Sequence, residues 1–202
     1  METNLSIGSG ESRLAALLSH FDAAPESRRD RGRRWYAAAA REVRSIAAET
    51  GTTFRRAAAV LAITSPDAQL RTNLAWTRAA CANGGETAGR YPNGQRPKVR
   101  GALTAPRPSE FVKGPKVSAF YRAILGDPEA VVLDRWACYA AGGSRAKTPS
   151  RTEAREIADA YREAASIVGE HVRDLQAIVW LQVRETTART DGRVHRLADV
   201  TL

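Results

Sequence analysis

Glycine punctuates this chain at Gly51, Gly84-Gly85, Gly126, Gly142-Gly143 and Gly169. Each of these sites follows a segment whose apolar residues recur three and four positions apart. That spacing lines one face of a helix, whereas a strand needs alternation. Glycine just beyond the last periodic residue is a common helix stop, because it enters the left-handed conformation without a Cβ penalty. A chain divided in this way folds as a set of helices, seven or so, and the fold class expected is all-α.

The segments differ in what their faces carry. Residues 26–49 read as one long helix, basic at its start and apolar further along through Trp35, Tyr36, Val43 and Ile46. Residues 53–63 are almost wholly Ala, Val, Leu and Ile after Arg56, the composition of a helix buried on most sides. Ser65-Pro66 has the chemistry of a helix start, so a third helix is expected over 66–82. Ser150 and Glu153 have capping-box spacing and open a helix to about Val168, and a last helix covers 173–186. Only Val131 to Leu133 has the character of a short extended piece. Leu14 to Leu18 can form a docking helix within an otherwise loose segment 1–26. The main domain is placed at 27–189, followed by a tail at 190–202.

Composition narrows the function classes. The 202 residues hold 43% hydrophobic residues, enough for one sizeable domain or two small helical lobes sharing a cleft. No stretch approaches the roughly 20 apolar residues of a membrane helix, and no basic-then-apolar leader follows Met1, so a cytoplasmic protein without a membrane partner is expected. The two cysteines, Cys81 and Cys138, sit in apolar helical patterns without metal-ligand spacing and read as buried free thiols. The histidines, His20, His171 and His195, are scattered near segment ends, where exposed roles are the expectation. No metal or cofactor is implied. Thirty-one Lys and Arg against 22 Asp and Glu leave a net charge of +9, mostly arginine, which suits a polyanionic partner. The segment 86–108 concentrates Arg96, Lys98, Arg100 and Arg107 among prolines and glycines, as a basic loop or weakly helical connector that is either simply solvated or a phosphate-contacting arm.

The segment 109–125 carries the chemistry. Phe111-Val112-Lys113-Gly114-Pro115-Lys116-Val117-Ser118 reads as a short helix, a tight turn and a second helix beginning near Lys116. Backbone N–H groups at such a turn, around Gly114, Val117 and Ser118, can hold a phosphate without reading a base, and Lys113 adds charge. An ordinary helix–helix turn is the alternative. The apolar run Ala130 to Leu133 then leads to Asp134, followed by the helix of Arg135, Trp136 and Tyr139. Asp134 stands where an N-cap belongs, and capping alone accounts for an Asp there.

Together these pieces resemble the helix-hairpin-helix DNA glycosylase superfamily, which includes endonuclease III and oxoguanine DNA glycosylase. In bifunctional members a glycine hairpin is followed by a Lys opening the second helix, then an apolar run and an Asp. Here Lys116 opens the second helix and Asp134 follows eighteen positions later. The segment from Ile63 to Asn73 is similar to the family's base-probing helix, which points to Asp67, Gln69 and Asn73. The chain departs from the family in four respects: the turn lacks a second glycine and is shorter, Trp136 replaces a common His, Tyr139-Ala-Ala-Gly-Gly replaces the Arg-rich continuation of that helix, and the four-cysteine cluster of endonuclease III is missing. The chain is also similar to small phage-encoded proteins that share a Gly-x-Lys hairpin, a Phe-Tyr pair and a Gly-Asp-Pro turn, several of them found among base-modification genes.

The resemblance implies two helical lobes around a cleft that binds double-stranded DNA as a monomer, in the host cytoplasm if the chain is phage-encoded. Breaking an N-glycosidic bond places positive charge on the sugar, which a fixed carboxylate such as Asp134 stabilises. Lys116, as a neutral amine, would attack the sugar and open a lyase path; a phosphate-contacting or solvated lysine is the other reading. Trp136 and Tyr139 would receive a base turned out of the stack, while Arg96, Lys98, Arg100 and Arg135 would hold the backbone. For Tyr121 and Trp76 core packing is the better reading. The leading expectation is a DNA glycosylase with lyase activity open to it. The alternatives are a base-hypermodification transferase on the same fold, moving an amino acid or amine onto an activated hydroxymethyl pyrimidine, and a non-catalytic DNA-binding protein.

Overall fold

The computed structural model describes residues 9–66, 68–86, 93–146 and 148–190. Among them the regular elements are all helical: α1 Ser9–Asp22, α2 Glu26–Thr50, α3 Phe54–Thr64, α4 Leu70–Ala82, α5 Arg96–Thr104, α6 Pro115–Leu125, α7 Arg135–Ala140, α8 Arg151–Val168 and α9 Val172–Thr190. Short 3-10 turns at Asn93–Gln95 and Pro108–Phe111 precede α5 and lead into the hairpin.

The local chemistry explains most boundaries. Gly51, Gly126 and Gly169 close α2, α6 and α8 in the left-handed conformation. Thr53 caps α3 by accepting from the Arg56 N–H, and Ser150 caps α8 by accepting from the Glu153 N–H at 3.1 Å. The Glu153 carboxylate reaches Arg13 of α1 at 3.7 Å and so ties α8 to α1. Every residue of α3 from Ala57 to Thr64 is buried, making it the central helix of the core expected from its composition.

Three expectations need correction. The third helix begins at Leu70 and not at Pro66: Ser65 ends α3, its hydroxyl donating to Ala62 O, so its capping chemistry serves the preceding helix. The basic connector contains a true helix, α5, because Val99, Ala102 and Leu103 give it an apolar face on the core and Pro97 fits its first turn. His20 is half-buried and its pKa is lowered by burial, whereas His171 is exposed. The segments 1–8 and 191–202, with His195, lie outside the described residues.

Two hydrophobic cores stand side by side. The first draws on α2, α3, α4, α5 and α6, and the second on α1, α7, α8 and α9. Helices α2 and α9 pack along each other between them, and Gly32 allows this. A Cβ there would lie 2.7 Å from the Cα and 2.8 Å from the N of Ile178, so the backbones meet with no room for a side chain. The apolar run after α6 follows the seam. Ala130 and Val132 enter the first core, while Val131 enters the second and Leu133 packs against it. This period-two alternation gives an extended chain an inward face on both sides, and it delivers Asp134 to the point where the cores meet.

Candidate functional site

Asp134 caps α7. Its Oδ1 accepts from the backbone N–H of Trp136 at 2.9 Å and of Ala137 at 2.8 Å. Its Oδ2 accepts from the indole Nε1–H of Trp180 on α9, also at 2.9 Å. A carboxylate offers about four acceptor positions. Three N–H donors therefore fix the group and leave about one position open. No ion pair reaches Asp134 among the described residues.

Aromatic rings form the walls. Trp180 lies 5.8 Å from Trp35 of α2, and Trp35 in turn meets Tyr36 edge-on at 4.8 Å and Phe120 of α6 at 6.5 Å. Around α7, Trp136 and Tyr139 meet edge to face at 6.4 Å. Arg184, one turn beyond Trp180, covers both Trp180 at 4.6 Å and Trp136 at 5.6 Å; Arg145 covers Trp136 at 4.6 Å and Tyr139 at 5.8 Å. The aromatic content of the seam thus continues outward into a cation-covered surface.

Three weak acids that feel the Asp134 charge, Tyr36, Tyr161 and Cys138, are held neutral. Tyr36 donates to Gln176 at 2.8 Å and Tyr161 donates to the Ala137 carbonyl at 3.1 Å. Burial pushes both phenols upward, with the Asp134 charge acting in the same direction. The Cys138 thiol is pushed up to about 11, again by burial first and the Asp134 charge second. Both cysteines are free and buried.

The hairpin is present in altered form. Its first arm is the single 3-10 turn Pro108–Phe111, not an α-helix, and the Phe111 ring lies against Gly101 of α5, where a Cβ would overlap the ring. Gly114 sits at the N-cap of α6 with φ +95°, a value that favours glycine, and the space around it is open. Ser118 closes the turn, its hydroxyl donating to Val112 O at 3.2 Å. Lys113 is exposed, Val117 is partly buried against the first core, and Lys116 is half-buried in the first turn of α6. No hydrogen bond or ion pair joins Lys116 to Asp134 among the described residues. The connection between them is indirect. Lys116 lies one turn before Phe120, on the same face of α6, and Phe120, Trp35, Trp180 and Asp134 form a continuous chain of contacts.

The other expected residues divide. Arg96 and Lys98 are half-buried on α5, and Arg100 pairs with Glu86. Arg135 is exposed beside Asp134. Gln69 is exposed at the start of α4, while Asp67 lies outside the described residues. Asn73 is 2% exposed; it accepts from the Thr64 hydroxyl and donates to Leu61 O at 2.9 Å, so its side chain fastens α4 to α3. Tyr121 is buried and Trp76 packs on the first core, as read from their apolar faces. Trp35, Trp180, Arg145 and Arg184 were not foreseen as site residues. One signal was available: a tryptophan inside an apolar helix needs an acceptor for its N–H, and Asp134 lay 46 positions away.

The fold and site define an all-helical protein of two cores, with a carboxylate fixed at their seam among aromatic rings. Residues 4–187 match the family described as "Family of unknown function (DUF7178)", and the chain belongs to that family. No curated protein and no solved structure matches it. Among the described residues no helix is long and apolar enough to cross a membrane.

Proposed function

We propose that this chain is a DNA glycosylase of the helix-hairpin-helix type, a monomer acting in the cytoplasm on a damaged or modified base in double-stranded DNA, with its two helical lobes meeting around Asp134. The observation that carries the reading is the setting of Asp134: a carboxylate immobilised by three N–H donors at the seam of two cores, with aromatic rings on both sides. In this reaction the glycosidic C–N bond breaks and its electron pair leaves with the base. Positive charge then develops at C1′ and the ring oxygen, and a preorganised carboxylate stabilises it without having to reorient. Lys116, one turn before Phe120 on α6, is the nucleophile in this reading. Attack of its amine on C1′ as the base departs would form a C–N bond; the nitrogen then loses a proton, the C1′–O4′ bond opens with its electron pair taking up a proton at O4′, and the resulting Schiff base permits strand cleavage. The open turn at Gly114 and the cations of α5 serve the phosphates.

The test incubates the protein with duplexes carrying a panel of modified bases, adds borohydride and looks for a trapped complex. Trapping by the native chain, absent in Lys116→Ala, supports a glycosylase with lyase activity. Base release without trapping makes the enzyme monofunctional. A base of increased mass on an intact glycosidic bond replaces the proposal with a transferase, and salt-sensitive binding without any product replaces it with a DNA-binding protein.

A further inference from the structure

Trp136 and Tyr139 carry more than the seam requires. Tyr139 is 45% exposed, one of two large hydrophobic side chains at the surface among the described residues, and the other, Ile167, is on α8. The ring of Trp136 is covered by two guanidinium groups, Arg145 and Arg184, and the Arg145 group also lies over Tyr139. Arg145 forms no ion pair among the described residues, so its charge is not spent on a neighbouring acid. A cation resting on an exposed ring gains little in water and is readily displaced by a partner offering both a flat π-face and an anion. Nucleotides have that chemistry: the base stacks on the ring and the phosphate takes the guanidinium.

We propose that Trp136 and Tyr139 form a stacking surface for unpaired nucleotides of a DNA strand, with Arg145 swinging off the rings to pair with a flanking phosphate. The proposal rests on the nucleic-acid reading above and adds a substrate form: the chain holds a strand where it is single-stranded, next to the carboxylate that Trp136 helps to position through its backbone N–H. An acidic protein surface would satisfy the arginine but not the rings, which is why the observations favour a nucleotide.

The test titrates the full chain with the oligonucleotide dT10 and, separately, with inorganic polyphosphate of similar length, following tryptophan fluorescence. Stacking predicts strong quenching by dT10 and little by polyphosphate. It also predicts that dT10 affinity falls about tenfold in Trp136→Ala and several-fold in Tyr139→Ala, whose exposure makes it safe for folding. Arg145→Gln should flatten the salt dependence of binding, whereas the Tyr139 variant should leave it unchanged. Equal quenching by the two polyanions, or unchanged dT10 affinity in Tyr139→Ala and Trp136→Ala alike, overturns the stacking surface. The two proposals fail separately. Asp134→Asn should still bind dT10, so base release without stacking removes only this inference, and stacking without base release removes only the glycosylase.

Discussion

Replacing Trp180 by Phe removes one N–H and keeps an aromatic ring against Trp35. The bond lost runs at 2.9 Å to the Asp134 carboxylate, and a hydrogen bond to a charged group contributes about 1.5–3 kcal/mol. We expect Trp180→Phe to destabilise the fold by about 2 kcal/mol, or roughly 4–8 °C in Tm for a chain of this size. Asp134→Asn provides the second side of a double-mutant cycle. Its amide oxygen still caps α7, but its NH2 group faces the Trp180 N–H, donor against donor. The double variant should therefore cost less than the two single costs added together, with a coupling of about 1–2 kcal/mol. The assay is urea unfolding followed by far-UV circular dichroism, which does not depend on tryptophan emission. Additivity within about 0.5 kcal/mol would refute the bond, and with it the account of how Asp134 is held.

Three further outcomes follow from the packing and the burial. Gly32→Ala forces a Cβ into the Ile178 backbone, so α2 and α9 must part, at a cost of about 1–3 kcal/mol that thermal unfolding will register. Glu185→Ala leaves the buried Arg28 without the carboxylate now 2.7 Å away; loss of one partner of a buried pair costs about 3–5 kcal/mol, and Arg28→Met combined with it should recover part of that loss. Burial raises the Cys81 thiol from 9.0 to about 12 and, with the Asp134 charge, the Cys138 thiol to about 11. A folded pKa above the unfolded one gives stability that is complete below about pH 9 and is lost as pH rises through 11 to 12. The urea midpoint should fall from pH 8 to pH 10.5, less steeply in Cys81→Ala, and both thiols should resist a disulfide reagent at pH 8 until the chain unfolds.

What could be read from the residues was local. Gly51, Gly126 and Gly169 end their helices, Thr53 and Ser150 begin theirs, and Asp134 caps α7, because each depends on atoms within four residues. Ser65 misled because the same hydroxyl that opens a helix can close one, and only the packing of α3 decides which. The helix α5 was obscured by Pro97, Gly101 and the surrounding cations, whereas three apolar positions on one face were enough to form it. The long-range part of the site was not legible. Trp180 reaches Asp134 across 46 positions, and Arg184 reaches Trp136 from another helix. Such pairings follow from how α7 packs on α9, and no spacing along the chain encodes them. Asn73 shows the converse: a polar residue that looked outward in sequence is fixed inside by Thr64 and Leu61.

The most direct measurement of the central claim is release of free base, detected by mass spectrometry, from duplexes carrying modified bases, comparing the native chain with Asp134→Asn after circular dichroism has established that both are folded. A fixed carboxylate that stabilises the sugar cation predicts that the native chain frees at least one base and that the Asn variant is slower by about a hundredfold or more. Equal rates from the two proteins, or no release by the native chain from any duplex, would contradict the account.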